Sequence, residues 1–481
     1  MEAAAPDPRR WKALAVLGVA YLMVVLDVSI VNVALPSIQT ELEFAPEDLQ
    51  WVVSAYALTF GGFLLLGGRV GDLLGRRTLF MVGLTLFALF SLLCGLAVSS
   101  GMLIAARALQ GIGGAILAPS VFSIVTVTFA EGAERNKALG ILGGIAGSGA
   151  AIGVLLGGVL TEYLGWEWIF FVNVPIGLGA LVFVPRLVQE SRAEGLARHF
   201  DAAGAVTVTA SLMLFVYGLT QSNNVGWGSA QTIGVLLASG VLMAAFLFIE
   251  ARSQSPLLRL GFFRRRTIAG ANMIGFGLGT MVFGMFFLLS LYMQQVLGFS
   301  AMQTGVGYLA VALTAIVASG AAQALVTKAG VKPVLSAGML LLGGGLLWFT
   351  QISVDGSYAT DLLPGFFLVG VGLGFSFVPV SIAALAGVSG QEAGLASGLI
   401  NTTQQIGGAL GLAIPTTVST TRTENLLEAG TPQPEALTDG FSLGFWAALG
   451  FAAISLLTTL LVLRRDDLRT PETEPAGAPL T

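Results

Sequence analysis

Two ionisable side chains lie in stretches that are otherwise apolar. Asp27 stands near the middle of YLMVVLDVSIVNVALP (21–36), and Arg107 stands in AARALQGIGGAILAP (105–119). Away from water an ionised group costs several kcal/mol or more, so each is a candidate functional group. Desolvation favours the neutral form of an acid. A carboxyl that met water first on one side of a barrier and then on the other would load and release one proton. The bland reading of Asp27 is a carboxylate at a wet helix end; the apolar residues on both sides argue against it. Arg107 cannot neutralise itself and needs partners. Either it bonds backbone carbonyls or it acts on Asp27 through its charge. Gln110, Gly111 and Gly114 share its helix face by i, i+3, i+4, i+7 spacing.

Uncharged polar groups could contact a ligand without demanding a fixed charge. The candidates are Asn32, Tyr56 and Gln110, then Tyr292 and Gln295 in LYMQQVLG, then Asn401, Gln404 and Gln405 on one helix face. The segment GRVGDLLGRR (68–77) is short and charged. Gly71 and Gly75 allow tight turns, and Asp72, able to cap the next span or pair with arginines on a neighbouring helix, suggests a breakable salt-bridge latch. Gly149, Gly153 and Gly157 form an i, i+4, i+8 stripe that allows close helix approach, as plain packing and as a smooth face for rocking. Cys94 is the single cysteine and His199 the single histidine, so an intrachain disulfide and a multi-histidine metal site are excluded. No second acid lies well inside an apolar stretch, which argues against a metal there. No nucleophile–base constellation is visible, so an enzyme is not expected. A net charge of −4 implies no nucleic-acid partner.

The elements that must position these residues follow from composition. Of 481 residues 55% are hydrophobic and 10% charged, with a mean hydropathy of +0.84; soluble proteins carry about 25% charged residues. An all-α polytopic membrane protein is expected. A membrane helix needs about 20 apolar residues. Fourteen segments qualify, at roughly 13–36, 49–68, 78–98, 101–123, 137–160, 166–187, 203–221, 230–250, 267–296, 303–326, 332–353, 361–385, 396–420 and 441–463. Of the 23 Lys and Arg, all but Arg107 and Arg422 fall in loops on one face, which puts both termini in the cytoplasm.

Gly140, Gly149 and Gly153 recur as Gly398, Gly407 and Gly411, an offset of 258. Gly75 pairs with Gly330 at 255, and Pro119 with Pro379 at 260. A duplicated set of helices is expected, with the path at the interface of the halves. The expected division is a six-helix bundle (1–190), two inserted helices (191–255), a second six-helix bundle (256–465) and a disordered cytoplasmic tail (466–481). At an offset of 260, Arg107 would correspond to Phe367, so the second half keeps the helices without the charges.

In order along the chain, LDVSIVNVALP, GRVGDLLGRR, RALQGIGGA, the glycine-rich fifth span, WEWIFFVNVPIG and GLASGLINTTQQIGGALG resemble motifs of the major facilitator superfamily, in its fourteen-helix drug:proton antiporter branch. The resemblance covers about 8–463 and departs at Val154, where the family usually has proline. It implies a proton-coupled exporter of amphipathic drugs, dyes or antibiotics, working without a cofactor on the proton gradient. Asp27 and Arg107 would couple protons. Gly68, Asp72, Gly75, Arg76, Arg77 and the Gly149, Gly153, Gly157 stripe would gate. The expected partners are a small amphipathic substrate, protons and the bilayer of a bacterial inner membrane, with the protein a monomer. A dedicated exporter of a lipid, a siderophore or a self-made antibiotic is the alternative. A non-transporting receptor is the reading from another class.

Overall fold

The computed structural model describes residues 8–44, 49, 51–130, 132–192, 201–253, 256, 258, 260–386, 388 and 393–463. The expected tail (466–481), His199 and the side chain of Asp72 lie outside the described residues.

The described residues are helical throughout their regular structure. The helices are α1 (Arg10–Glu41), α2 (Trp51–Leu74), α3 (Arg76–Gly95), α4 (Ser100–Thr128), α5 (Ala133–Tyr163), α6 (Asn173–Leu187, after a single turn Trp168–Phe171), α7 (Ala202–Val225), α8 (Ala230–Arg252), α9 (Arg266–Leu291, continued by a π turn Tyr292–Val296), α10 (Leu309–Ala329, after Ala301–Gly307), α11 (Val331–Phe349), α12 (Leu363–Ala384, after a π turn Tyr358–Leu362), α13 (Ala393–Glu428) and α14 (Gln433–Leu461). Several starts are set by side-chain caps. Ser99, Asp201 and Ser229 accept from backbone N–H groups of α4, α7 and α8, and Ser300 forms a capping box with Gln303; each satisfies a donor the helix itself cannot.

Fourteen apolar spans were expected. Among the described residues, ten helices are long and apolar enough to cross a membrane, and Trp51–Leu64, Ile152–Tyr163 and Ala203–Leu219 are shorter apolar runs. α13 falls below the apolar limit because amides and threonines interrupt it. Several of these polar groups bond within their own helix. Asn401 donates to the carbonyl of Ser397, Thr402 to that of Gly398 and Thr417 to that of Ala413.

The packing repeats between early and late helices. α5 meets α1 through glycines: a Cβ on Gly149 would overlap Val25, one on Gly153 the Ser29 hydroxyl, and one on Gly157 would lie 2.7 Å from the Ile30 carbonyl. α13 meets α9 the same way, with Gly407 against the Phe276 carbonyl and Gly411 against that of Thr280. Gly111 of α4 abuts Thr59 on α2, and Gly370 of α12 abuts Thr314 on α10. The turns into α3 and α11 both use a glycine at positive φ, Gly75 at 120° and Gly330 at 87°, a conformation other residues rarely adopt. Burial repeats too. The core stretches of α4 and of the span containing α12 are each 78% buried and those of α1 and the α9 span 67% and 72%, against 17% for α8. The Gly111–Gly370 pairing has an offset of 259, not 260. It sets Arg107 against buried Phe366 rather than Phe367, which is 48% exposed. This corrects the expected correspondence by one residue.

Two seams join early to late helices. α5 lies against α10 and α12, and α13 against α2 and α4. α7 packs on α2 and α13, with Trp51 stacked on Tyr217 at 5.9 Å and Trp227 donating to Thr417 at 2.9 Å. α8 is fastened to α7 by reciprocal bonds between Ser211 and Ser239, each hydroxyl donating to the other's carbonyl at 2.9 Å. Exposed Leu237, Val241 and Phe248 lie along α8.

Candidate functional site

Asp27 and Arg107 meet. They come from α1 and α4, 80 residues apart in sequence, and Arg107 Nη1 donates to Asp27 Oδ2 at 2.5 Å. The carboxylate is 0% exposed and the guanidinium 1%. The site lies toward the end of the bundle where α1 finishes and α2, α4 and α6 start. Arg107 is two turns into α4, and its Nε donates at 2.9 Å to the carbonyl of Val52, the second residue of α2. Its guanidinium also lies 4.3 Å from the centre of the Tyr56 ring, a favourable cation–π placement.

Gln110 holds the pair together. Its Nε2 donates to Asp27 Oδ1 at 2.8 Å, and its Oε1 accepts from Arg107 at 2.8 Å and from the Cys94 thiol at 3.6 Å. A third donor comes from α6. Asn173 Nδ2 reaches Asp27 Oδ1 at 3.2 Å and the Ser91 hydroxyl of α3 at 3.0 Å, and Ser91 donates to the Phe170 carbonyl at 2.9 Å. Taking a charge pair out of water is costly unless hydrogen bonds complete it. Three donors on one carboxylate supply that completion. A proton added to Asp27 would cancel its charge and leave Arg107 uncompensated.

The expected ligand residues do not form one cluster. Tyr56 and Gln110 join the charge pair. Asn32 is exposed on α1 and donates weakly to the Val28 carbonyl at 3.4 Å. Tyr292 is buried and donates to the Ser353 carbonyl at 2.7 Å, while Gln295 on the same π turn is exposed. Asn401 is buried; Gln404 and Gln405 are half-buried on α13, the helix that lies against α2 and α4.

Among the described residues, Arg76 and Arg77 of the expected latch bond as follows, the side chain of Asp72 lying outside them. Buried Arg76 donates from Nε to the Ser123 hydroxyl of α4 at 2.6 Å. Arg77 and Thr78 receive Glu190, from the segment after α6. Glu190 accepts from the N–H of Arg77 at 3.1 Å, from the N–H of Thr78 at 3.0 Å and from the Thr78 hydroxyl at 2.5 Å, and its carboxylate lies 3.9 Å from Arg77 Nε. Gly68 and Gly75 are buried, and a Cβ on Gly75 would fall 2.7 Å from Glu190 Oε1. Partial burial pushes the Glu190 carboxyl up. The bonds from Thr78, Ser191 and Arg77 outweigh that and hold it below the usual carboxylate range. Arg77 Nη1 donates to the Val188 carbonyl at 3.3 Å, at the end of α6. Its repeat partner Lys332 donates to the carbonyls of Leu460 and Leu463, at the end of α14, both at 2.7 Å. α5 is helical through Val154, the departure from the family proline.

Sequence reasoning assigned no role to Asn173, Ser91 or Glu190. Asn173 is a lone amide in the apolar run WEWIFFVNVPIG, one of the stretches that carry the resemblance, and those were its only signals. Ser91 and Glu190 carried none, since each gains meaning only from a partner on another helix.

Residues 17–412 match the model described as the Major Facilitator Superfamily. The chain is 40% identical to the puromycin resistance protein pur8 of Streptomyces alboniger, over 98% of this chain and 94% of that protein. It is 39% identical to the cephamycin export protein CmcT of Amycolatopsis lactamdurans, over 93% and 92%. It is 33% identical to the tetracenomycin C resistance and export protein of Streptomyces glaucescens, over 84% and 75%. The crystal structure of the human organic anion transporter MFSD10 (TETRAN) superposes with a TM-score of 0.68 at 16% identity, covering 94% of this chain and 100% of that one. That likeness speaks for the fold alone.

Proposed function

The chain belongs to the major facilitator superfamily, and from that premise we propose that it is a proton-coupled antiporter exporting amphipathic antibiotics or drugs across a bacterial inner membrane. The observation that carries the reading is Asp27, fully buried and held by donors from two other helices. The ten apolar spans together with α2, α5, α7 and α13 make fourteen crossings, with both termini cytoplasmic. Residues 1–190 and 256–465 act as two bundles, 191–255 as an inserted hairpin and 466–481 as a tail. The protein works as a monomer, on the proton gradient and without a cofactor. The site then lies in the outer half of the membrane.

In this cycle Asp27 takes a proton from outside, which breaks its pairing with Arg107 and releases the drug. The protonated carrier reorients, and loss of the proton inside restores the pair and permits rebinding. Drug binds along the seam where α13, with Asn401, Gln404 and Gln405, faces α2 and α4. Tyr56 and Gln110 connect that seam to the charge pair; Asn32, Tyr292 and Gln295 are outer contacts. Gly149, Gly153 and Gly157 let α5 slide on α1. Gly68, Asp72, Gly75, Arg76 and Arg77 latch the inner end.

The test is export in proteoliposomes under an imposed pH gradient, wild type beside Asp27→Asn. Loss of gradient-driven export in the variant is expected; full export would overturn the coupling role. A second reading, a dedicated exporter of one antibiotic, is favoured by the relatives named above, each named for a single compound. A susceptibility panel in an efflux-deficient host separates the two by the number of compounds whose toxicity falls.

A further inference from the structure

We propose that Asn173 is a positioning residue for the proton site, and that it sets the pH at which Asp27 exchanges its proton for drug. The inference deepens the proton-coupled reading and rests on it. Asn173 is the first residue of α6 and is 2% exposed. Its amide has one orientation that satisfies its neighbours. Ser91 spends its only hydroxyl hydrogen on the Phe170 carbonyl, so toward Asn173 its oxygen acts as an acceptor. Asp27 as a carboxylate can only accept. Both neighbours of Nδ2 are therefore acceptors, and the NH2 group must point at them. Turning the amide over would set a carbonyl oxygen against a carboxylate oxygen and a serine oxygen. Ser91 thus works as a lock that keeps a donor aimed at Asp27 Oδ1.

The consequence is directional. A donor held on a carboxylate favours its charged form. Asn173 and Gln110 share Oδ1, and Arg107 holds Oδ2. The ionisable groups facing the carboxylate are Arg107 from α4, Tyr56 from α2 and Cys94 from α3; α6 contributes the neutral Asn173, and α5 meets α1 through glycines. Asn173 also ties the carboxylate, through Ser91, to α3 and to the Phe170 carbonyl in the turn before α6; Gln110 reaches α3 separately, through the Cys94 thiol. Proton binding would weaken that tie. The state of Asp27 is thereby transmitted to α3 and α6.

The experiment compares wild type, Asn173→Ala, Asn173→Asp, Asp27→Asn and the double variant Asp27→Asn/Asn173→Ala, each purified and reconstituted. Drug binding is measured across pH by ligand fluorescence or scintillation proximity, with gradient-driven export in parallel. In wild type, affinity falls as pH falls through the midpoint. Losing one donor moves that midpoint upward by roughly one pH unit, about a tenfold weaker binding at a fixed pH on the slope. Asn173→Asp keeps the shape, adds a like charge and moves the midpoint the same way; it decides the matter if Asn173→Ala does not fold. In the Asp27→Asn background, Asn173→Ala is expected to leave drug affinity unchanged, because the group it positions is gone. An unchanged midpoint in both single variants, or a further loss of affinity in the double variant, would overturn the proposal. Full gradient-driven export by Asp27→Asn overturns the coupling reading instead. The two failures are thus told apart by which variant keeps wild-type behaviour.

Discussion

At the scale of single residues, the charge pair is best understood by what its removal leaves behind. Replacing Arg107 by methionine strands a carboxylate that is 0% exposed. Deleting one partner of a buried pair costs about 3–5 kcal/mol, whereas replacing both partners by uncharged groups is often near neutral. Arg107→Met is therefore expected to lower the thermal midpoint in detergent strongly, and Asp27→Asn/Arg107→Met to recover most of the loss. A double variant no more stable than Arg107→Met would mean that the pair is not the unit described. Glu190 gives a prediction with a pH sign. Its folded carboxyl sits below the usual range, so its contribution is complete above the ordinary carboxylate value of 4.5 and fades as pH falls through the lowered folded value. Losing such a cap costs about 1 kcal/mol. Glu190→Gln should cost that much near neutral pH and flatten the decline in stability below about pH 4.5. An equal decline in both proteins would show that Glu190 does not titrate with folding. Asp27 and Arg107 were legible in the sequence because charge stands out in an apolar run. Asn173 and Ser91 were not, because an amide or a hydroxyl acquires its role from a neighbour 146 or 79 residues away.

At the scale of elements, hydropathy located the helices because each must cover its backbone with apolar side chains. The segment expected at 396–420 is helical as α13 although its composition is more polar, and there hydroxyls and an amide are bonded to carbonyls of the same helix. The glycine spacing was more informative than hydropathy. The stripe on α5 marks its crossing with α1, and its repeat on α13 marks the crossing with α9. Three internal prolines extend this pattern. Proline lacks the N–H that would bond the carbonyl four residues earlier. The carbonyls freed by Pro119, Pro379 and Pro415 are those of Ala115, Phe375 and Gly411, and each is approached by a glycine of a neighbouring helix, Gly67, Gly338 and Gly284. At these three positions the proline and the close approach occur together. At Gly153 a methyl group would overlap the Ser29 hydroxyl and meet the Leu26 carbonyl at 3.0 Å. Overpacking of this kind costs about 1–3 kcal/mol. Gly153→Ala should lower both stability and export, while Gly234→Ala, which meets nothing within 4 Å, should leave both unchanged. Equal behaviour of the two variants would remove the special status of the α1–α5 crossing.

At the scale of the whole molecule, two seams join early to late helices, α5 with α10 and α12, and α13 with α2 and α4. Both are engaged. Toward the end where α1 starts, Gly143 of α5 meets the backbone of Val378, and the Ser397 hydroxyl donates to the Pro119 carbonyl at 3.0 Å. Toward the other end, Gly305 lies against Val154 and Leu155, and the Tyr163 hydroxyl reaches the Met302 sulfur at 3.9 Å. Asp27 is fully buried, so water must be admitted to the carboxyl in the proposed cycle, and parting of one end is the expected route. The α7–α8 hairpin constrains that motion, since Trp51–Tyr217 and Trp227–Thr417 tie it to one helix from each side of the second seam. Holding one end shut should therefore stop the cycle without touching the proton site. In a Cys94→Ala background, Tyr163→Cys with Met302→Cys can be bridged by a short bifunctional thiol reagent. Bridging should abolish gradient-driven export, and a reducible linker should restore it on cleavage. Drug binding at neutral pH should survive, because the Asp27 cage is untouched. Undiminished export with the bridge formed would mean that this end need not open, and that the two seams are not the surfaces along which the two halves move.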